Sequence, residues 1–283
     1  MKKVLLSSMV VVMVMILGFA SISAAKEWKK VRVATEGAYP PWNATDPSGK
    51  LYGFDVDVIN EVCKRSGLEC EIIAQAWKGI IPGLTAGKYD CIIAGMQATH
   101  KRLKVIDFAG PYAKTPGSFA TVKSSPLAKF KSSPDRVTLN DVSADEQNVV
   151  DQLLKLLKGK VIGVQTTTTH SNFLDTYFGK VATIRKYDSQ ENILLDLTAG
   201  RIDAAEASLS YWIPIMKKKQ GKDLALFGPA WTGDIFGLGN GIGVRKGDPE
   251  LKAIFNKALK SLREDGTLQK MAVKWFGFDN SPK

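Results

Sequence analysis

The segment GFDVDVINEVCKRSGLECEIIA, residues 53–74, places a helical pattern directly before a strand pattern. Its first half carries valine and isoleucine along one side, and Asp55 or Asp57 supplies negative charge to the first turn, which the helix dipole favours. Its second half, residues 69–74, is a predicted short strand. Residues 30–35, KVRVAT, alternate like a strand, so the order strand, helix, strand favours a parallel α/β sheet.

The alternation of strand and helix continues along the chain and then occurs a second time. The first series continues with a helix over 80–86, a strand over 89–94, a helix from 99 to 103 and a strand over 106–108. The second series has strands over 160–164, 183–187 and 202–206, with helices over 170–178 and 189–198. Two such series predict two lobes with a cleft between them, in which a ligand binds beyond the carboxyl ends of the strands.

Two further regions complete the predicted organisation. Residues 123–158, between the two series, are expected to form a long surface excursion that carries one amphipathic helix over 145–157. The chain is expected to end in two helices, over 251–262 and 268–276.

The amino terminus has the pattern of a secretory signal peptide. Lys2 and Lys3 precede a mostly apolar stretch, and Ser23-Ala24-Ala25 offers small residues for cleavage. We expect residues 1–25 to be removed on export to the periplasm, with an uncleaved membrane anchor as the alternative. No later stretch approaches the ~20 apolar residues that span a bilayer, so the mature chain is not expected to be membrane-embedded.

Composition excludes a disordered chain and argues against nucleic acid as a partner. The 283 residues are 45% hydrophobic and 24% charged, as in ordinary globular proteins. The net charge of +11 raises the question of an acidic partner, but the lysines are scattered apart from the short run 217–219. We therefore expect no nucleic-acid partner.

The three cysteines do not match the spacing of zinc ligands. Cys63 and Cys70 are seven residues apart, and an oxidising compartment permits a disulfide between them that stabilises by about 2–3 kcal/mol. Cys91 lies in an apolar run and is expected to be a buried small side chain. We expect neither a metal nor a cofactor.

Several runs in order resemble one family. They include VRVATEGAYPPW at 31–42, AWKGIIPGLTAGKYDCIIAGM at 76–96, THKRLKVIDFAGPY at 99–112 and LTAGRIDAA at 197–205. The chain resembles the periplasmic solute-binding proteins of polar amino-acid ABC importers (family 3), closest to the lysine/arginine/ornithine/histidine binders and the octopine/nopaline binders.

The resemblance implies the type II periplasmic-binding-protein fold, in which two lobes are joined by two hinge crossings and close on the ligand. Each lobe is expected to be a mostly parallel sheet flanked by helices. Residues 26–114 and 230–283 are expected to form lobe 1, and residues 115–229 lobe 2. The implied protein is a monomer whose partner is the membrane subunits of an ABC importer.

The resemblance also implies roles for residues of the first lobe. Arg102 matches the arginine that grips the ligand carboxylate, for which the guanidinium fork is suited. Trp77 and Tyr39 match aromatic positions that flank the aliphatic part of a ligand. Glu36 follows the first strand and matches the acid that faces the distal cation of basic amino acids, which is the main argument for a cationic side chain.

In the second lobe, residues 165–170 read QTTTTH at a predicted helix start. Gln165 opens this run, and Thr168 and Thr169 match hydroxyl positions that bind the ligand carboxylate together with free backbone N–H groups. Thr167 stands where glycine is usual, which puts the backbone geometry in question. His170 is either a second contact for a carboxylate or a surface residue.

Two departures from the family pattern concern the ligand. In the family an acid pairs with the ligand α-ammonium, and Ser208 stands at its position here, as a serine does in the opine binders. The loss of the acid suits the additional carboxylate of an opine. Ala94, Gly95 and Gln97 stand in place of a serine-rich run, and the small side-chain volume at Ala94 and Gly95 leaves room for a larger ligand. Glu206 lies two residues before Ser208 and in an extended chain faces the same side, so it restores an acid if it takes over that role.

The expected function is therefore capture of a cationic amino acid or an arginine-derived opine for an importer, with another polar amino acid as an alternative ligand. An exported dehydratase-like enzyme on the same fold is the main alternative. The sequence contains only two histidines and neither an HExxH nor a phosphate-loop motif, which argues against catalysis. A detached sensory domain is the third hypothesis.

Overall fold

A computed structural model describes residues 27–282 of the protein, so the predicted signal peptide at 1–25 lies outside the described residues. The strands, in chain order, are β1 (Lys30–Thr35), β2 (Ala38–Tyr39), β3 (Asn43–Thr45), β4 (Leu51–Tyr52), β5 (Glu69–Ala74), β6 (Cys91–Ile92), β7 (Asp107–Ala113), β8 (Gly117–Val122), β9 (Arg136–Thr138), β10 (Val161–Gln165), β11 (Thr183–Tyr187), β12 (Ala204–Ser208), β13 (Leu224–Thr232) and β14 (Asn240–Val244).

The α-helices are α1 (Phe54–Ser66), α2 (Ile80–Thr85), α3 (His100–Leu103), α4 (Ala144–Leu156), α5 (Thr169–Tyr177), α6 (Gln190–Thr198), α7 (Leu209–Met216), α8 (Pro249–Glu264) and α9 (Thr267–Phe276). Within residues 27–282, every helix is too short or too polar to cross a bilayer.

The strands form two main sheets, and we call each sheet with its flanking helices a lobe. Lobe 1 has the strand order β5-β1-β6-β14-β7, and lobe 2 has the order β11-β10-β12-β8-β13-β9. In lobe 1, β14 pairs antiparallel with both of its neighbours, whereas β1 pairs parallel with β5 and β6. In lobe 2, β8 likewise pairs antiparallel with both neighbours, and the other pairs are parallel. The expected mostly parallel α/β sheets are therefore confirmed, each with one reversed strand beside a crossing.

Two crossings connect the lobes, at residues 114–116 and at residues 233–239, and the second contains a short 3-10 helix at Asp234–Phe236. β13 pairs in parallel with β9 at Ala230, Trp231 and Thr232, which places these residues in the sheet of lobe 2. The second boundary thus lies after Thr232 and not between 229 and 230 as expected. Strand patterning marks that a segment is extended but does not mark the residue at which it leaves its sheet.

Local sequence accounts for the helix ends. α1 ends at Gly67, whose φ of 66° is left-handed and suited to glycine. α4, in the expected surface excursion, begins with a capping box between Ser143 and Glu146. Most predicted elements end within one or two residues of the observed ones, but the strand expected over 89–94 is only β6, because the chain turns into the cleft at Gly95.

The disulfide between Cys63 and Cys70 is confirmed, and it joins the end of α1 to β5 with a Cα–Cα distance of 6.2 Å. Cys91 is a free, buried cysteine in the core beside β1, as expected, and burial raises the pKa of its thiol. The core of lobe 1 packs α1 against α8 and α9. The core of lobe 2 contains an aromatic cluster in which Phe173 and Trp231 have ring centroids 4.8 Å apart.

Candidate ligand-binding cleft

A cavity lies between the lobes at the carboxyl ends of β1, β6, β10 and β12, where α/β sheets bind ligands. The structure brings all twelve predicted binding residues to this cavity. They are Glu36, Tyr39, Trp77, Ala94, Gly95, Gln97, Arg102, Gln165, Thr168, Thr169, His170 and Ser208.

Glu36 projects into the cavity directly after β1 and is only 8% exposed. Gln165 Nε2, at the end of β10 in the other lobe, donates a hydrogen bond to Glu36 Oε1 at 2.5 Å. Burial raises the pKa of Glu36 to about 7, although the Gln165 hydrogen bond lowers it in part. Glu36 is therefore a desolvated acid that a cationic ligand group would return to its ionised form.

Arg102 supplies the opposite charge from α3. Thr99 accepts the Arg102 N–H at the start of this helix, and the guanidinium donates to the Gln97 carbonyl oxygen at 2.9 Å. The guanidinium lies 5.2 Å from the ring centroid of Trp77, and its desolvation lowers the pKa of Arg102 to about 10. Among residues 27–282, no acidic side chain forms an ion pair with Arg102. Its partly buried charge is thus left for an anion.

The start of α5 provides hydroxyl and backbone N–H donors from lobe 2. Thr168 caps the helix, because its hydroxyl accepts the Ser171 N–H at 3.0 Å and donates to the Gln165 carbonyl at 2.8 Å. Thr169 Oγ1 donates to Gln97 Oε1 at 2.5 Å, across the cleft. Thr167 has a φ of 57°, so it adopts the left-handed conformation of the usual glycine.

Tyr39 lines the cavity and contacts the other lobe. Its hydroxyl lies 2.6 Å from Ser208 Oγ, and its ring stacks on Tyr211 at a centroid distance of 5.3 Å. Trp42 adds a hydrogen bond of 3.1 Å from Nε1 to Ser210 Oγ. These contacts join the lobes directly, so the cleft is closed.

Glu206 lines the cavity but is engaged by His170. His170 Nδ1 lies 2.7 Å from Glu206 Oε2, and the Glu206 side chain is completely buried. Burial raises the pKa of Glu206, and His170 opposes this effect. A Cβ at Gly117 would clash with Glu206 Oε1, so only glycine at this position leaves room for the carboxylate.

Sequence reasoning did not assign four further lining residues, Trp42, Thr115, Gln190 and Asn240. Trp42 stands in the YPPW run beside Tyr39, which is a signal that was available. Asn240 and Thr115 belong to the hinge crossings or their ends, and no local pattern points from there into the cleft. Within residues 27–282, no cluster of His, Cys, Asp and Glu side chains is arranged to hold a metal ion.

Several proteins that the chain resembles are named as binders of octopine or arginine. The chain is 37% identical to the octopine-binding periplasmic protein of Rhizobium meliloti, over 92% of this chain and 94% of that protein. It is 35% identical to the L-arginine-binding protein of Pseudomonas aeruginosa, over 89% of each. The structure of an ancestral arginine-binding protein bound to arginine matches with a TM-score of 0.73 and 31% identity, over 88% of this chain and 98% of that one.

The family model for bacterial extracellular solute-binding proteins, family 3, matches residues 31–278, which include both lobes and every residue of the cleft described above. The protein therefore belongs to family 3 of the bacterial extracellular solute-binding proteins.

Proposed function

We propose that the protein captures a cationic amino acid or an arginine-derived opine in the cleft and presents it to the membrane subunits of an ABC importer. One observation carries the ligand class. The same closed cavity holds Arg102, a guanidinium with no acidic partner among residues 27–282, and Glu36, a desolvated carboxyl group. A ligand with a carboxylate at one end and a cation at the other satisfies both.

Binding energy would be used to keep the lobes closed. Thr169, Gln97 and the N–H groups at the start of α5 lie beside Arg102 around the cavity, so a ligand carboxylate would contact both lobes at once. A ligand that makes contacts in the closed form that the open form does not offer shifts the population toward closure. The closed form is the one we expect the importer to recognise.

The state of Ser208 and Glu206 bears on the choice between an amino acid and an opine. The Ser208 hydroxyl is hydrogen-bonded to the Tyr39 hydroxyl, and Glu206 is already paired with His170. A primary α-ammonium group therefore meets a carboxylate that already pairs with His170 through Oε2, and only Glu206 Oε1 is left to accept from it. An opine carries a substituted amine and a second carboxylate, and the hydroxyl and imidazole groups present are suited to the latter. The 37% identity to the octopine-binding protein supports the same reading.

Isothermal titration calorimetry with arginine, lysine, histidine, ornithine, octopine and nopaline tests the proposal. We expect binding of at least one compound, with glutamate as a negative control. Tight arginine binding with no opine binding would leave the cationic amino acid as the ligand, whereas the absence of binding by all six would contradict the proposal.

A dehydratase-like enzyme is the second candidate, and it predicts turnover of prephenate or arogenate by the purified protein. We propose instead a monomeric binding protein without a catalytic step, exported to the periplasm after removal of residues 1–25. Amino-terminal sequencing of the exported protein and its mass in solution test these two statements.

A further inference from the structure

The buried acid Asp55 lies beneath the cleft and is not part of the cavity lining. The sequence suggested a role for it in the first turn of α1, but the structure places its carboxylate in the interior with zero exposure. Tyr112 Oη donates to Asp55 Oδ1 at 2.7 Å, and Asn43 Nδ2 donates to Asp55 Oδ2 at 2.8 Å. Asn43 and Tyr112 are themselves fully buried.

Asn43 and Tyr112 each also accept a hydrogen bond from a backbone N–H in a turn beside the cleft. The Gly37 N–H, next to Glu36, donates to Asn43 Oδ1 at 2.7 Å. The Gly95 N–H donates to Tyr112 Oη at 3.1 Å. Both donor chains therefore start at a backbone amide of the ligand site and end on the same carboxylate.

The two turns need such a restraint. Gly37 has a φ of 73° and Gly95 a φ of 57°, in the left-handed region; glycine adopts other conformations about as readily, so tertiary contacts must select this one. Gly37 determines where Glu36 leaves β1, and Gly95 forms the cavity wall between Ala94 and Gln97. Movement of either amide would displace the groups that face a ligand.

We infer that Asp55 is a positioning residue of the ligand site, because its carboxylate fixes the Gly37 and Gly95 amides through Asn43 and Tyr112. This inference rests on the proposed function, since the site is the one assigned to the ligand. An ionised carboxylate accepts from both partners, whereas an amide in its place presents one N–H₂ group to a donor and breaks one chain. Burial raises the pKa of Asp55 to about 7, and the titratable neighbours Tyr112 and Glu36 face it.

The variants Asp55→Asn and Asp57→Asn form a matched pair on the same helix. Asp57 pairs with Lys274 Nζ at 2.7 Å and Trp275 Nε1 at 2.8 Å on the outer side of lobe 1, away from the cleft. We expect Asp55→Asn to weaken arginine or octopine binding at least tenfold, and Asp57→Asn to lower the unfolding midpoint with affinity within about twofold of wild type. Equal affinity in both variants and wild type would overturn the inference.

Amide hydrogen exchange of the empty protein, measured by NMR, gives a readout that needs no ligand. Asp55→Asn should accelerate exchange at whichever of Gly37 and Gly95 lies on the chain that the new N–H₂ group breaks. Tyr112→Phe removes only one hydroxyl group and should accelerate exchange at Gly95 while Gly37 keeps its wild-type rate. Unchanged exchange at Gly95 in Tyr112→Phe, or at both glycines in Asp55→Asn, would overturn the inference. Failure of the wild type to bind any of the six compounds would instead count against the proposed function alone.

Discussion

Replacement of Glu36 by glutamine separates a ligand contact from a structural role, because the two predicted effects have opposite signs. Burial raises the pKa of Glu36 from 4.5 to about 7 in the closed cleft. At 1.36 kcal/mol per pKa unit, this rise corresponds to a cost of roughly 3 kcal/mol when the carboxyl group is ionised. Opening of the cleft hydrates the group, so this value is an upper limit.

The sign of the pH dependence follows from the raised pKa. The favourable contribution of the protonated group is complete below pH 4.5 and is lost as the pH rises through about 7. At pH 8 the wild type therefore carries the cost of an ionised, desolvated carboxylate, and the neutral glutamine does not. We expect Glu36→Gln to be more stable than the empty wild type at pH 8, by up to about 3 kcal/mol, and the difference to shrink toward pH 5.

Ligand binding should change in the other direction. A cationic ligand loses its charge partner in Glu36→Gln, which weakens binding by about 1–3 kcal/mol, or about five- to 150-fold in Kd. Calorimetry with arginine and chemical denaturation at pH 5 and 8 measure the two effects. Glu71→Gln, at an exposed acid of β5, makes the same charge change outside the cleft and should change neither the arginine Kd nor the stability at pH 8. An arginine Kd equal to that of wild type, or a variant less stable than wild type at pH 8, would refute this reasoning.

Three further substitutions follow from the structure. Gly117→Ala places a Cβ against Glu206 Oε1 and the Phe236 ring, and it should destabilise the protein by about 1–3 kcal/mol in denaturant titrations. The control Gly247→Ala has no heavy atom within 4 Å of the added Cβ, and its free energy of unfolding should stay within about 0.5 kcal/mol of wild type. Equal stability of the two variants would argue against the tight packing at Glu206. The double variant Cys63→Ser, Cys70→Ser should lose about 2–3 kcal/mol of stability with unchanged affinity, since the disulfide lies outside the cleft; a changed Kd would contradict this. Ser208→Asp adds an acid beside Tyr39 and should favour free amino acids over opines in competition calorimetry, and the reverse preference would count against the role given to Ser208.

The fold and many of the residues that line the cavity were predictable because both depend on the order of local patterns. Helix and strand periodicity, read along the chain, predicted the two series of elements, and the family runs pointed to residues that follow strand ends. Cross-cleft pairing was not predictable in the same way. Whether Glu206 replaces the acid missing at Ser208 was left open by the sequence; in the structure it pairs with His170, a residue from a different element whose distance depends on the packing of α5 against β12.

Burial of charge was the second limit of sequence reasoning. Asp55 and Asp57 look equivalent in the first turn of α1, but one faces the interior and the other the surface. Periodicity gives the face of a helix only to within one residue, and a carboxylate in the core is stable only where donors such as Tyr112 and Asn43 converge on it from distant segments. Trp77 was expected to flank the ligand, and it lines the cavity; its contact with the Arg102 guanidinium was not predicted.

The placement of β14 has a consequence for the order in which the protein folds. β14 stands between β6 and β7 in the sheet of lobe 1, although it follows the whole of lobe 2 in the chain. A polypeptide that emerges amino terminus first therefore cannot complete lobe 1 until residues 240–244 have appeared. Lobe 2 is continuous from β8 to β13 and closes its own sheet without waiting for later segments. The lobe that contains the amino terminus is thus the last to finish, and the long separation between its strands makes its closure the slower step.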